Sequence, residues 1–564
     1  MGTWSGRDGA ARVDSNHLEN LGQDRRACRD ATSPTSFRFL KVERSRTARC
    51  GLPGKIRSRV NTAMRRPLNA VSRRPMKLTG PLLGALVLTL AVGWLGAALP
   101  ALAPARGDDD PARPRNGYPV AYAIKDAKIL TVSQGTIARG SILVENGKIT
   151  AVGTGVKAKP GMAVIEAAGL VAMPGIIETH SHIAIQGGVN EFSLSIVPEV
   201  RVKDVVTGDD VSIYRALANG VLTAYVQPTG GLISGQGCVI DLRGWVPREL
   251  VVVDPAALDV TIPTFVARTP EGPRRRPGPG PAGAEGGPDP QARRQEQLEA
   301  IREHFRRALR YGEVVAQARS QGVASPPFDP RLSALVAYAK GQKPVVFLAN
   351  HRTEILDALA IAKELKLKAV ISGGSEAWKV AGALKEAGVP VLVGGTLNVP
   401  SRDHDPYDAA YANPARLHAA GVTVAISSKR GESAGSTNGR NVPYEAATAV
   451  AFGLPEDVAL KAVTFTPAQI LGVADRVGSL EAGKRANLVV TAGHILQPTT
   501  SVLALFIDGK HLTPESRHTQ LYARYLRRLE EVRAGSAPLG LDRPSTAPAR
   551  IPNRAAASPA PASP

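Results

Sequence analysis

Short apolar runs alternate with segments of helical periodicity along the chain, and this alternation restricts the fold more than any other feature. Five of these runs have the length and the β-branched content of buried strands. After one of them, Ile355, Leu359 and Leu365 recur at helical spacing. Strands that alternate with helices are typical of a parallel sheet, so the pattern predicts an α/β barrel. The five runs are 221–226, 344–349, 368–372, 390–394 and 422–427.

Segments with a different pattern flank this region on both sides. Residues 120–172 and 466–515 contain short runs of strand-forming residues that are broken by turn residues. Neither segment has enough strands to bury both faces of a sheet by itself. We therefore expect a (β/α)8 barrel beside a small β-sandwich domain that is composed of segments from both sides of the barrel.

Two histidines one residue apart close the apolar run 169–182. Side chains at positions i and i+2 of a strand lie on the same side, so His180 and His182 could offer two imidazoles to one metal ion. A catalytic metal usually needs at least three protein ligands and an open position for water. The pair therefore predicts a metal site only if other parts of the chain supply further ligands.

The run 169–182 and the two flanking β segments together resemble the amidohydrolase superfamily of metal-dependent hydrolases, in particular its imidazolonepropionase-like branch. The resemblance covers roughly residues 120 to 515. It implies an active site at the C-terminal ends of the barrel strands and a divalent metal, zinc, as the cofactor. It also implies hydrolysis of non-peptide carbon–nitrogen bonds in cyclic or linear amides by a metal-bound water.

The resemblance assigns metal ligands to three more strand ends, where this sequence has other residues. The fifth and sixth strands normally end in histidine, and Ala349 and Gly373 stand there instead. The eighth strand normally ends in aspartate, and Lys429 stands there. A protonated lysine repels a metal dication, so Lys429 opposes metal binding. Two function classes stay open: a hydrolase of carbon–nitrogen bonds, or a non-catalytic homologue that binds a ligand or pairs with an active relative.

Four polar residues are further candidates for the site. Lys429 is a catalytic base if burial deprotonates it, and otherwise a structural lysine in a salt bridge. His351 and Arg352 follow the fifth strand, and Gln236 lies in the glycine-rich run 227–237, so these three are candidates for substrate binding. The run lacks the Gly-Lys-Ser/Thr ending of a P-loop, which favours a tight turn over a phosphate site.

Basic charge is concentrated near the N-terminus. The formal net charge of the chain is +21, and residues 1–77 contribute 18 Lys/Arg against six Asp/Glu. Because this excess lies in a low-complexity leader and no nucleic-acid-binding motif is present, we expect no nucleic-acid partner.

The apolar run 82–99 follows basic residues and is followed by Ala-x-Ala, which is typical of a signal peptide. We expect export to the periplasm or the exterior, and the alternative is an uncleaved membrane anchor at 81–103.

Cys238 is the one cysteine beyond the leader, so the exported part has no disulfide framework. A small-molecule substrate or ligand is the expected partner, and association with itself or with a relative is left open. The predicted regions are a basic low-complexity extension at 1–75, a signal peptide or membrane anchor at 76–105, a first β segment at 120–172, a barrel at 173–465 with an insertion at 269–325, a return to the β domain at 466–515, and a C-terminal helix with a Pro/Ala-rich tail at 516–564.

Overall fold

A computed structural model describes residues 121–185, 193–264, 289–428 and 438–537. Several predictions fall outside the described residues: the basic extension, the signal or anchor segment, most of the Pro/Gly/Arg-rich part of the insertion, Lys429 and the Pro/Ala-rich tail. Among the described residues, no helix combines the length and the apolar character needed to cross a membrane.

The described chain contains these elements. The strands are β1 (Ala121–Leu130), β2 (Thr136–Glu145), β3 (Lys148–Gly153), β4 (Ala163–Glu166), β5 (Val171–Pro174), β6 (Ile176–Ser181), β7 (Val221–Val226), β8 (Ile233–Asp241), β9 (Val251–Thr261), β10 (Pro344–Ala349), β11 (Lys368–Gly373), β12 (Val391–Gly394), β13 (Val424–Ser427), β14 (Leu488–Thr491), β15 (Val502–Ile507) and β16 (Lys510–Leu512). The helices are α1 (Val211–Leu217), α2 (Pro247–Leu250), α3 (Pro290–Gln321), α4 (Pro330–Ala339), α5 (Arg352–Leu365), α6 (Ala381–Ala387), α7 (Ala409–Ala419), α8 (Val442–Ala451), α9 (Glu456–Ala462), α10 (Phe465–Ile470) and α11 (Arg517–Arg533).

One eight-stranded sheet contains strands from both flanking segments. Strand β14 pairs antiparallel with β5, so the C-terminal strands β14, β15 and β16 extend the sheet that β1 to β5 begin. Tyr122 and Phe506, one from each segment, stack with ring centroids 5.1 Å apart in the core of this sheet. The two segments therefore share one sheet, and the second layer that a sandwich requires stays a prediction.

A second eight-stranded sheet, β6 to β13 in sequence order, forms a barrel-like α/β fold. The main chain and hydroxyl of Ser428, just after β13, donate hydrogen bonds to Glu178 of β6, so the first and last strands meet. Most neighbouring strands are parallel, but β8 runs antiparallel to both β7 and β9. The regular strand–helix alternation predicted from the sequence fails here, because residues 227–232 are too few for a crossover helix and form a hairpin connection instead.

Side chains of the barrel strands alternate between two apolar layers. Val346 and Val370 belong to the inner cluster, together with Tyr225 and Leu392. Val345, Phe347 and Ile371, on the opposite face, pack in the layer that the helices cover. This alternation decides which residue of each strand faces the barrel interior at its C-terminal end.

Helix α3 buries an apolar stripe along one face. Leu298, Ile301 and Phe305 are buried, whereas Leu309 is 36% exposed. The buried stripe continues through Ala308 and Gly312. Gly312 lies so close to α4 that an added Cβ would be 2.6 Å from Val336, so any residue larger than glycine would require Val336 to move.

The buried carboxylate of Asp241 joins the barrel to the first sheet. Asp241 is 2% exposed and lies at the end of β8. Its oxygens accept hydrogen bonds from Thr223 Oγ1 at 2.8 Å, from Asn487 Nδ2 at 3.0 Å and from Arg485 Nη1 at 2.8 Å. Arg485 also pairs with Asp508, at 3.2 Å, between β15 and β16. Burial raises the pKa of Asp241, and the Arg485 guanidinium opposes this rise.

Replacement of Arg485 should therefore uncouple the two sheets energetically. We expect Arg485→Met to lower the free energy of unfolding by about 3 kcal/mol, because Asp241 then stays buried without a cation. Addition of Asp241→Asn should recover most of this loss, since the buried charge is removed. Urea denaturation measures the wild type, both single variants and the double variant, with Arg139→Met, which breaks an exposed pair with Asp126, as a control that should change little. Additive losses in the double variant would contradict the coupling.

Candidate functional site

His180 and His182 lie next to each other at the C-terminal end of β6. His180 is the penultimate residue of the strand and His182 follows its end. The two ring centroids are 6.4 Å apart and the ring planes are tilted by 50°. His180 is 2% exposed, whereas His182 is half-buried. The structure thus brings together the two imidazoles that the spacing in the sequence paired.

Both ring nitrogens of His180 contact polar side chains from other strands. Nδ1 lies 2.9 Å from Ser372 Oγ on β11, and Nε2 lies 3.2 Å from the amide nitrogen of Gln227, just after β7. An amide nitrogen can only donate, so Nε2 accepts and the neutral ring carries its proton on Nδ1, toward Ser372. A metal ion on either nitrogen would therefore displace one of these hydrogen bonds.

A buried carboxylate lies below this histidine. Glu178 is fully buried, and its side chain accepts hydrogen bonds from the backbone N–H of His180 at 2.9 Å and of Ser428 at 3.1 Å, and from the Ser428 hydroxyl. Burial raises the pKa of Glu178 to about 7, although these hydrogen bonds oppose the rise. The interior end of the barrel thus contains a carboxyl group that can take up or release a proton near neutral pH.

The predicted ligand position Ala349 faces away from this cluster. Its side chain is buried in the apolar layer between the barrel and the helices. Side chains alternate along β10, so the residues that face the barrel interior are Val346 and those two positions away from it in the strand. A donor side chain at position 349 would therefore enter the apolar layer.

The predicted ligand position Gly373 cannot accept a side chain in this backbone. Gly373 has a φ of +99°, in the region that favours glycine. An added Cβ would lie 2.3 Å from Asn350 Oδ1. The residue of β11 that reaches His180 is its neighbour Ser372.

The donor set of the described residues does not fit a catalytic zinc. No group of three or more His, Cys, Asp or Glu side chains that could hold a metal occurs in the described ranges. His180 and His182 supply two nitrogens, and zinc sites need at least three protein ligands. The end of the eighth strand, where Lys429 follows Ser428, lies outside the described residues.

An open cleft of about 520 Å³ lies among the loops that follow β10, β11 and β12. These loops are at the C-terminal ends of the strands, where barrel enzymes bind their substrates. Charged residues dominate the lining of the cleft. They are Arg352, Glu376, Lys379, Arg402, His404 and Asp405.

Glu376 organises the charges in this cleft. Its carboxylate accepts hydrogen bonds from the Arg352 backbone N–H at 2.7 Å, from Lys379 Nζ at 3.1 Å and from Arg402 Nε at 3.0 Å. Burial alone would raise the pKa of Glu376, but these donors outweigh burial and hold the pKa at about 2. Lys379 also contacts Asp405, at 2.7 Å. Two carboxylates thus face three cations.

Of the substrate-binding candidates, Arg352 lines this cleft and His351 lies beside it. His351 is the N-cap residue of α5, and its Nδ1 lies 3.8 Å from Glu376. Its backbone N–H donates to Glu354, which fixes the start of the helix. The side chain of Arg352 is exposed at the cleft and forms no ion pair with any described carboxylate. Its guanidinium is therefore the cation that is available to an anionic ligand.

The third candidate, Gln236, has a structural environment. It lies in β8 and is 7% exposed. Its Nε2 donates to the carbonyl of Pro198 at 2.9 Å, and its Oε1 accepts from the Tyr338 hydroxyl at 3.2 Å. Both ends of the amide are used within the protein, so Gln236 is not available to a ligand in this conformation. The predicted tight turn ends earlier than expected, since residues 233–237 belong to β8.

Sequence reasoning missed three residues of the cluster around His180. Glu178 precedes His180 by two positions in the same strand, so the spacing that paired the histidines could have included it. Ser372 follows the inner-face residue Val370 by two positions, which is the signal for an inner position. For Gln227, which lies beyond the end of β7, the sequence offers no comparable signal.

Comparisons with known proteins agree with the barrel-like fold. Residues 348–512, from the end of β10 to β16, match the model of the Amidohydrolase family. An amidohydrolase from Thermotoga maritima is 27% identical, and the alignment covers 69% of this chain and 99% of that chain with a TM-score of 0.59.

Two curated relatives match a much shorter stretch. A dihydroorotase of Geobacter sulfurreducens is 42% identical over 64 residues, which is 11% of this chain and 15% of that protein. A 5'-deoxyadenosine deaminase of Methanosarcina mazei is also 42% identical over 64 residues, with the same two shares. The chain thus matches only 15% of the length of either relative.

The glycine at the end of β11 offers a test of the site geometry. We expect Gly373→Ala to lower the free energy of unfolding by about 2 kcal/mol, because the backbone is left-handed there and Asn350 occupies the space. The control Gly382→Ala lies on an exposed position of α6 with open space around it, and should be neutral or slightly stabilising. Urea denaturation of both variants checks this, and equal effects would show that position 373 has room.

Proposed function

The chain belongs to the amidohydrolase superfamily, and from this premise we propose that it hydrolyses a carbon–nitrogen bond in a small, anionic, non-peptide molecule. One observation carries the proposal: the His180 cluster, with its protonatable carboxyl, lies at the C-terminal end of the barrel, the end where the loops also form the charged cleft. Barrel enzymes place their chemistry at this end.

The residues of the chain have distinct parts in this proposal. Gln227 and Ser372 orient the ring of His180 through both of its nitrogens. Glu178, with its pKa near neutrality, can hold the proton that a leaving nitrogen needs. Zinc, the cofactor that the resemblance implies, would contact His180 and His182 and would need further ligands from outside the described residues.

The charge of the cleft supports an anionic substrate. Lys379 and Arg402 are neutralised by Glu376 and Asp405, whereas the guanidinium of Arg352 has no carboxylate partner in the described part of the chain. A guanidinium can bind a carboxylate with two parallel hydrogen bonds. We therefore place a carboxylate or a similar anionic group of the substrate at Arg352.

A second candidate function is ligand binding without catalysis. The specific observation in its favour is that Asn350 fills the space of a side chain at position 373, and that both ring nitrogens of His180 are already hydrogen bonded. In this case the cleft would still bind the anionic molecule. A measurement of substrate turnover therefore distinguishes hydrolysis from ligand binding without catalysis.

Three predictions from the sequence stay part of this proposal. They are the imidazolonepropionase-like branch, the sandwich form of the β domain, and export or membrane attachment through residues 76–105. Elemental analysis addresses the metal prediction directly. The sequence predicts less than one tightly bound zinc per chain, and it predicts that Lys429→Asp raises the affinity for zinc because a carboxylate replaces a cation.

Activity is tested with the purified full-length chain on N-acyl amino acids and on cyclic amides that carry a carboxylate, with and without added zinc. We expect release of amine or opening of the ring, and a loss of about 100-fold or more in kcat/KM for Glu178→Gln. The control His418→Gln, an exposed residue of α7 that does not line the cleft, should retain activity. Absence of turnover combined with carboxylate binding would support the second function, and absence of both would overturn the proposal.

Arg352 provides a test of substrate charge. We expect Arg352→Gln to raise KM, or Kd where no turnover occurs, by about tenfold for carboxylate compounds while kcat changes little. The matched control is Lys363→Gln, in the last turn of the same helix and outside the cleft. Neutral amide analogues of the same compounds should bind equally to wild type and to Arg352→Gln. An equal loss for neutral and anionic compounds would contradict a charge-specific contact.

A further inference from the structure

The C-terminal helix α11 presents an apolar face that the described residues cover only in part. None of its residues is fully buried. Tyr522 is 71% exposed and Tyr525 is 65% exposed, and Leu526 and Leu529 are each 43% exposed. At the start of the helix, Ser516 and Thr519 form a capping box and His518 contacts Arg440.

The apolar side chains of α11 form a stripe between His518 and Arg533, which lie on the same face at its two ends. With the rotation of an α-helix, the apolar side chains fall within an arc about 140° wide. They are Leu521, Tyr522, Tyr525, Leu526, Leu529 and Val532. Most of the other residues of α11 are polar, and the helix has five arginines and two glutamates. Arg517 and Arg528 border one edge of the stripe, and Arg524 and Arg527 lie further round on the same side.

We propose that α11 binds the surface of an anionic lipid membrane, with its axis in the plane of the membrane. A helix with an apolar face of leucine and aromatic residues and an arginine-rich polar face has the chemistry of an interfacial helix. Tyrosine is suited to the boundary between the lipid headgroups and the acyl chains, because its ring is apolar and its hydroxyl stays hydrated. The arginines complement the negative headgroups.

The arginines also argue against a crossing of the membrane. The helix has 17 residues, with charged side chains in every turn of its polar face. Burial of these charges in the hydrocarbon core would be costly. An orientation in the membrane plane buries the stripe and keeps the guanidinium groups at the headgroups.

A second copy of the chain is the main alternative occupant, and two observations disfavour it. The stripe extends over fewer than two heptads, whereas helix pairs that assemble through such stripes usually need three or four. Leu521 and Leu526 also widen the stripe beyond the narrow seam of a two-stranded coiled coil.

This inference is independent of the proposed hydrolysis. It agrees with the alternative of an uncleaved membrane anchor at 81–103, since both would keep the protein at a membrane. The test must nevertheless separate α11 from that segment. A position-specific probe on α11 achieves this in the full-length chain.

The probe is an environment-sensitive nitrobenzoxadiazole dye on a single introduced cysteine. The background carries Cys28→Ser and Cys50→Ser, and Cys238 is fully buried and protected from labelling. One protein carries Tyr522→Cys, on the apolar face, and the matched protein carries Arg527→Cys, on the polar face. Attachment through residues 76–105 would act equally on both, so a difference between them reports α11 alone.

The labelled proteins are mixed with vesicles of phosphatidylcholine, with or without phosphatidylglycerol. We expect an increase of emission and a blue shift for the dye at position 522 with phosphatidylglycerol vesicles, and a much smaller change at position 527. High salt should weaken the change, because it screens the arginines. No change at 522, or equal changes at both positions, would overturn the proposal. A change at 522 that depends on protein concentration without vesicles would identify a second copy as the occupant.

Two variants then test the stripe itself. Leu526→Asp together with Leu529→Asp should weaken the response at position 522 by about tenfold or more, because two leucines no longer enter the interface. The control Val314→Asp changes an equally exposed apolar residue on α3 and should leave the response intact. Because no residue of α11 is buried, the double variant should keep its fold, and circular dichroism verifies this. A response that the double variant retains would contradict the assigned face.

Discussion

The hydrogen bonds between Glu178 and Ser428 are the interaction on which the rest of the structure depends. They connect the first barrel strand to the last and therefore close the sheet. The same carboxylate accepts a hydrogen bond from the backbone N–H of His180. One side chain therefore both closes the barrel and positions the main chain of His180 in the site. A carboxyl in this place cannot be replaced by a purely apolar residue without leaving buried N–H groups unsatisfied.

His180 is the point where three barrel strands meet through side chains. It lies in β6, while its ring contacts come from β11 and from the end of β7. Such contacts order the ring before any ligand arrives, which lowers the entropic cost of positioning it. They also compete with a metal ion for the same nitrogens. The structure therefore fixes the orientation of the His180 ring, but it does not prepare that ring to bind a metal ion.

The barrel and the histidine pair were predictable because they depend on local periodicity. The spacing of His180 and His182 and the helical spacing of Ile355 and Leu359 in α5 can be read from neighbouring residues alone. The antiparallel strand β8 was not predictable in this way, since only the length of the connection after β7 distinguishes a hairpin from a crossover. The interior residue of β11 was missed by one position, because family motifs align residues and do not record which face of a strand each occupies. The contacts of Ser372 and Gln227 with His180 are long-range and have no local signal.

The close approach of Asn350 to Gly373 limits how this site can change over time. A donor side chain at position 373 requires both a different backbone conformation and the removal of the Asn350 amide. Each change alone is expected to destabilise the protein, so no single substitution leads to a stable intermediate with the new ligand. Sequence drift can alter the surrounding cleft freely, yet acquisition of a ligand at this strand end needs two coupled substitutions. Gly373 therefore hinders the evolution of this site into one with a metal-binding side chain at the same strand end.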